Sequence, residues 1–199
     1  MTLDELLKTR DPMSLFARWY AEAQKNAKLR EPTAMALATA NKQGLPSLRT
    51  VLLKSFSAEQ GFVFYTNYQS HKGQDLTENP QAALLFYWDS LFQQIRVQGP
   101  IQKVSREESE AYWNLRPFES QVAGWLSRQS RAVTGSLDQM FLDAQKKWQG
   151  KKVPCPEHWG GFALKPSVLE FWIGHPNRLH TSVRFELKNQ TWVPEQLYP

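Results

Sequence analysis

The chain is nearly without cysteine: of its 199 residues, only Cys155 carries a thiol. That excludes an intrachain disulfide and any zinc site built on paired cysteines. Histidine ligation is equally unsupported, because His71, His158, His175 and His180 fall at no HExxH-like spacing, so no metal is expected. A G-x-G-x-x-G run and a Walker loop are both missing, which argues against a dinucleotide fold and a P-loop NTPase, and no G-x-S-x-G elbow occurs. Long apolar runs are missing too. The longest, Ala82 to Trp88, is far too short to span a bilayer as a helix, and MTLDELLKTRDP has neither a basic nor an apolar leader region. A soluble, cytoplasmic protein with no membrane partner is expected.

Charge of one sign is not concentrated anywhere. The formal charge is +5, but the basic residues are dispersed, with only short pairs such as Lys146-Lys147 and Lys151-Lys152. Polymeric nucleic acid is therefore not the expected partner, whereas a modest positive field suits small phosphorylated molecules. Aromatic residues are abundant at 13%, eight of them Trp, which fits stacking on a planar ligand or a large subunit interface. The length allows one domain with a sizeable core. Residues 1–10 read as a polar tail, mobile unless a partner orders them, and 11–199 as a single domain.

The organising stretch is Arg49 to Lys72. Arg49 to Phe56 and Phe62 to Tyr68 are β-branched and aromatic, and Ser57 to Gly61 between them is polar, so a hairpin is expected. It gathers Arg49, Lys54, Tyr65, Thr66, Ser70 and Lys72, donors suited to phosphate. A solvated hairpin with ordinary surface charges has the same composition.

In chain order, Asp11-Pro12 opens a helix that should end near Leu29, and Thr33 to Ala40 and Leu48 to Phe56 read as strands. His71 to Glu78 reads as a short helix, Ala82 to Trp88 and Gln93 to Val104 as strands. Gln94, Arg96 and Gln98 share one face of the last, either solvated or facing the edge of a heterocycle. Ser105 and Glu108 form a capping box for a helix to about Leu115, on which Tyr112 and Arg116 share a face. Pro117 starts another helix with Ser120 near its N-terminus, where anions are favoured. This corner is either a second phosphate site or a half-buried Tyr112 under a snorkelling Arg116. Ser136 to Gln149 is a further helix; Gly161 to Ile173, Arg178 to Leu187 and Thr191 to Val193 are the last strands. Short strands at meander spacing, interrupted by helices, suggest an antiparallel barrel with helices outside, a mainly β, α+β architecture.

RTVLLK at 49–54, FYTN at 64–67, SHK at 70–72, QQI at 93–95, the Tyr112, Arg116, Ser120 trio, RQS at 128–130, WGGF at 159–162, EFW at 170–172 and RLH at 178–180 together resemble the pyridoxine/pyridoxamine 5′-phosphate oxidases. The resemblance runs in order from about Asp11 to the C-terminus. It implies a six-stranded antiparallel split β-barrel homodimer with FMN in the cleft between subunits. By position, Arg49, Thr50, Val51, Leu52, Leu53, Lys54, Tyr65, Thr66, His71, Lys72, Gln94, Gln129, Ser130, Trp172 and Arg184 look like cofactor contacts. Lys54, Tyr112, Arg116 and Ser120 look like contacts to the substrate phosphate, and Arg178, Leu179 and His180 like substrate contacts, Arg178 and His180 being the catalytic pair over the ring.

The activity so implied is oxidation of a phosphorylated B6 vitamer to pyridoxal 5′-phosphate, by hydride transfer from C4′ to flavin N5, with O₂ reduced to hydrogen peroxide. Two phosphomonoesters require two cationic pockets, and Arg49 and Lys54, an odd number of residues apart, should face opposite ways in a regular strand. Three departures stand out. His71 occupies a position where the family usually has Arg, and RLHDR reads here as RLHTSVR, with Asp absent and two apparent extra residues before Arg184. The chain also starts close to its first helix, so a more open site is expected. Two other readings share the fold: a phenazine-type flavin oxidase with an unphosphorylated substrate, and a non-catalytic binder of FMN or pyridoxal phosphate.

Overall fold

The computed structural model describes residues 2–199. Its central helix is α2 (Pro12–Lys25), whose cap Asp11 accepts from the Met13 and Ser14 amides. Leu15, Phe16, Trp19 and Ala23 recur on one buried face. Phe16 meets Phe56, Phe62 and Phe86 at ring distances of 4.8, 4.8 and 5.2 Å, and Trp19 meets Phe171 edge-on at 5.2 Å. The helix stops short of Leu29 because the Asn26 side chain accepts from the Lys28 amide and its carbonyl from the Leu29 amide, a local turn that competes with helix.

Around this core run β1 (Ala34–Ala40), β2 (Pro46–Leu52), β3 (Ser55–Ser57), β4 (Gly61–Asn67), β5 (Gln81–Trp88), β6 (Gln93–Lys103) and β7 (Trp159–Leu164). Pairing is antiparallel throughout: β1 with β2 and β5, β5 with β6, β6 with β7, β7 with β4, and β4 with β3. With β2 and β3 taken as one bent strand, this circuit is the six-stranded barrel expected. From it β8 (Val168–Ile173), β9 (Thr181–Lys188) and β10 (Thr191–Leu197) continue off the first half of β6. Helix α3 (His71–Glu78) follows β4, while α4 (Arg106–Leu115), α5 (Phe118–Leu126) and α6 (Leu137–Trp148) pack around Trp113, Val122, Val153 and Trp159 in a second small core.

Further expectations are corrected. The Arg49–Phe56 strand is not half of one hairpin. Its first part, β2, pairs with β1 in the register Leu37↔Arg49, and only Ser55–Ser57 pairs with β4. Between them Leu53 sinks into the core, 3% exposed, and the Lys54 amide donates to the Val63 carbonyl at 2.9 Å. The strand bends because it must leave β1 and join β4. The tight turn after β3 depends on Gly61, where φ is +85° and a Cβ would lie 2.0 Å from the Leu164 carbonyl oxygen.

Gly161 to Ile173 is likewise two strands. Lys165-Pro166-Ser167 separates them, since Pro166 has no amide for the ladder; β7 joins the end of β6 and β8 its beginning. The last hairpin is offset from expectation: β9 starts at Thr181, after Arg178 in the left-handed region (φ 63°), and β10 runs to Leu197.

Residues 3–8, read from sequence as part of a mobile tail, form helix α1 (Leu3–Lys8). Thr2 and Glu5 make a reciprocal capping box, and Leu6 is fully buried. The helix packs on β9 and β10. Replacing Leu6 with Ala should therefore lower stability by about 2–4 kcal/mol in urea unfolding; an unchanged midpoint would mean that the segment is not docked.

Candidate active site

The bend in β2–β3, the end of β4 and the start of α3 enclose one side of a cleft of about 810 Å³; the α4–α5 corner and Trp159 enclose the other. Arg49, Thr50, Val51, Leu52, Lys54, Tyr65, Thr66, His71, Lys72, Tyr112, Arg116, Ser120, Gln129 and Ser130 all line it. Because of the bend, Arg49 and Lys54 both reach this cleft, and the expectation that they face opposite ways in one regular strand does not apply.

The first corner is cationic and buried. Lys72 Nζ, at the first turn of α3, donates at 3.2 Å to Thr66 Oγ1, Ser70 Oγ and Gln129 Oε1. Burial, aided by the neighbouring Arg49 charge, pushes its pKa down to about 8. Arg49 Nη1 donates to Thr39 Oγ1 (2.7 Å) and to the Leu37 carbonyl (3.2 Å), and Nη2 to Ser47 Oγ (2.5 Å). Burial lowers its pKa as well, opposed by Asp75, which lies 3.7 Å from Nη2. Ser70 caps α3 through the Gly73 amide, and the His71 amide donates to Ser130 Oγ at 3.2 Å. A helix start, an ammonium and a guanidinium thus converge with one nearby carboxylate, an arrangement suited to a phosphate dianion.

The second corner is built on aromatic stacking. Tyr65 stacks on Tyr112 at 4.0 Å and lies nearly parallel to Trp159 at 5.4 Å. The Tyr65 hydroxyl donates to Glu108 at 3.4 Å, and burial with that carboxylate drives its pKa upward. The Arg116 guanidinium lies over Trp113 and Trp159, 4.9 and 4.8 Å from the rings. Burial lowers its pKa, and its buried Nη1 has no acceptor among the described residues. A buried guanidinium N–H without a partner costs stability, and Nη1 lies toward Gly124 of α5. Ser120, in the first turn of α5, and Lys54 complete the set.

The remaining sequence-derived candidates are not in this cleft. Leu53 belongs to the core. Gln94 and Trp172 face each other across β6 and β8, and the Trp172 ring lies 4.7 Å from that of His180. His180 Nδ1 accepts from the His175 amide at 3.0 Å, and Arg178 and Leu179 are exposed in the adjoining turn. Arg184 is engaged by Glu195 on β10 at 2.6 Å. These residues form a second cluster, at the β8–β9 end of the sheet. Sequence reasoning missed Thr39, Asp75 and Glu108 as the groups behind Arg49 and Tyr65. The one signal for Asp75 was its position four residues after His71, on the same helical face.

The fold is that of a split-barrel protein, and the two cationic corners of its cleft are suited to phosphorylated ligands. Residues 21–147 match the family profile "Pyridoxamine 5′-phosphate oxidase", and 159–199 match "Pyridoxine 5′-phosphate oxidase C-terminal dimerisation region". The pyridoxine/pyridoxamine 5′-phosphate oxidase of Cupriavidus necator is 51% identical over 89% of this chain and 84% of its own length. That of Leptospira biflexa is 44% identical over 95% and 89%. A crystal structure of PhzG from Burkholderia lata, in complex with tetrahydrophenazine-1-carboxylic acid, superposes with TM-score 0.90 at 32% identity, covering 96% of this chain and 94% of that one. An FMN-binding protein of Nostoc punctiforme shares the fold (TM-score 0.77, 15% identity, 97% and 100% covered). The chain belongs to the pyridoxamine 5′-phosphate oxidase family.

The lowered Lys72 pKa has a measurable sign. An anion in the first corner favours the charged amine, so above pH about 8 its binding requires proton uptake. Affinity for a phosphomonoester should fall from pH 8 toward 9.5, by up to about tenfold per unit, a range in which the phosphate's own ionisation is complete. Isothermal titration across that range checks it, and the slope should vanish in Lys72→Met.

Proposed function

We infer that the chain is an FMN-dependent oxidase that converts pyridoxamine 5′-phosphate and pyridoxine 5′-phosphate to pyridoxal 5′-phosphate as a homodimer. The observation that carries this reading is the presence of two separate cationic corners in one cleft, the second holding the half-buried Arg116 guanidinium with Lys54, Tyr112 and Ser120. FMN fits the first: Lys72, Arg49, Thr66, Gln129, Ser130 and the start of α3 would hold its phosphate, with Thr50, Val51 and Leu52 along its length. His71, where the family usually has Arg, takes away a permanent charge beside this corner. The vitamer's phosphate would go to Arg116, Lys54, Tyr112 and Ser120. This set favours a phosphorylated substrate over the tricyclic acid bound by the Burkholderia protein.

FMN held there would supply the redox chemistry, as hydride acceptor for the vitamer and electron donor to O₂. The chain's own contribution is orientation and electrostatics. The second cluster lies mostly in 159–199, the segment that matches a dimerisation region, so a second copy is the natural source of the groups that close the cleft. In this reading Trp172 and Gln94 of one protomer border the flavin of its partner, and Arg178 and His180 cover the substrate ring. Since His180 Nδ1 accepts an amide proton, Nε2 carries the proton of the neutral ring and is the atom able to donate to the substrate. Arg184, paired with Glu195, approaches the flavin only by giving up that partner. A cytoplasmic setting belongs to the same reading.

Anaerobic mixing with pyridoxamine 5′-phosphate tests it. The flavin absorbance near its visible maximum should bleach, and in Arg116→Ala the same bleaching should need about 10- to 100-fold more substrate at unchanged flavin content. An unbleached flavin in a protein that still binds pyridoxal phosphate would instead identify a carrier.

A further inference from the structure

Asp75 takes no part in the cleft lining, yet it is one of the few charged side chains buried in the chain, 3% exposed. Its surroundings form a closed loop of side chains behind the first corner. Thr39 Oγ1, also buried, donates to Asp75 Oδ2 at 2.6 Å and accepts from Arg49 Nη1 at 2.7 Å. Arg49 Nη2 donates to Ser47 Oγ, which in turn lies 3.3 Å from His71 Nδ1. His71 Nε2 closes the loop at 3.8 Å from Asp75 Oδ1. The loop ties together β1, β2 and α3; of these, β2 and α3 carry the Arg49 and Lys72 side chains of that corner.

The chemistry of Thr39 gives the loop its direction. A hydroxyl has one proton, and here it is committed to the carboxylate, so Thr39 presents only lone pairs to Arg49. A carboxylate behind the hydroxyl polarises it and strengthens the bond it accepts from the guanidinium. Without Asp75 the hydroxyl can rotate, so Arg49 keeps Ser47, the Leu37 carbonyl and the Thr39 oxygen, but that oxygen is no longer held in one orientation, and the carboxylate 3.7 Å from Nη2 is gone as well.

We propose that Asp75 is a positioning residue for cofactor binding: through Thr39 it presets the Arg49 guanidinium for the FMN phosphate. The inference rests on the FMN reading above and adds to it a residue that touches neither ligand. Preorganisation of this kind is read in affinity, because a guanidinium already held in place loses less freedom when the anion arrives. The phosphate is the only part of the cofactor that the loop addresses, so riboflavin, which lacks it, is the control.

The test is fluorescence titration of the apoprotein with FMN and with riboflavin, in wild type, Asp75→Ala, Asp75→Asn, Thr39→Val and the Asp75→Ala/Thr39→Val double variant. Thermal unfolding of each apoprotein shows that it is folded. Asp75→Ala and Thr39→Val should each weaken FMN by about tenfold or more, the scale of one charged hydrogen bond. Riboflavin affinity should change by less than about threefold. The double variant should be no weaker than either single one, because both changes break the same relay. Asp75→Asn keeps an acceptor for Thr39 and should recover most of the loss; if Asp75→Ala does not fold, Thr39→Val and Asp75→Asn still decide.

Equal losses for FMN and riboflavin, losses that multiply in the double variant, or no loss at all would each overturn the proposal. Wild-type apoprotein that binds no FMN would overturn the functional reading first, and this inference with it.

Discussion

Everything in the cleft depends on holding more positive charge out of water than the protein itself neutralises. Arg49, Lys72 and Arg116 are drawn into partly buried positions, and the pKa values of all three are pulled down by desolvation. Neutral oxygens from Thr66, Ser70 and Gln129 satisfy the donors of Lys72 without cancelling its charge. Arg116 retains an N–H with no acceptor among the described residues. A protein optimised for stability alone would expose these groups or pair them. Keeping them half-desolvated lowers stability and raises the gain when an anion enters, because the Coulomb term is stronger where water is excluded.

The barrel makes this arrangement stable by fixing its framework in apolar contacts. Phe16 of α2 fills the barrel against Phe56, Phe62 and Phe86, so the strands that carry Arg49, Tyr65 and Thr66 have little freedom. The change of partner at Leu53 and Lys54 turns a single sequence segment toward both corners. The opposite wall has its own core, in which Trp113 donates its indole N–H to the Val153 carbonyl at 3.0 Å and packs edge-on against Trp159. Arg116 rests on these two rings, so the geometry of the second corner follows from aromatic packing.

Much of this was legible in the residues. Asp11 and Ser105 marked helix starts through side chains that satisfy free amides, and these interactions are local; Glu108, read as the other half of a capping box, instead accepts from Gln60 and Tyr65. The donors of the first corner were legible because most of them fall within one segment, Arg49 to Lys72. What was not legible is non-local. Residues 49–56 are uniformly β-forming, and nothing in them says that the partner changes midway from β1 to β4. The break at Pro166 and the capping box of Thr2 and Glu5 were signals present in the chain; the first lay inside an apolar run, and the second opened a short helix whose order comes from Leu6 packing against distant strands. Asp75 read as an ordinary helical carboxylate, since its burial against Thr39 joins residues 36 positions apart.

The central claim is that one chain carries two independent anion pockets serving one reaction. Titrating the FMN-saturated protein with pyridoxal 5′-phosphate tests it most directly. The account predicts that both ligands are held together, with the flavin retained and its spectrum perturbed as the second compound binds. Displacement of FMN by pyridoxal 5′-phosphate, with each competing for the other's site, would contradict it.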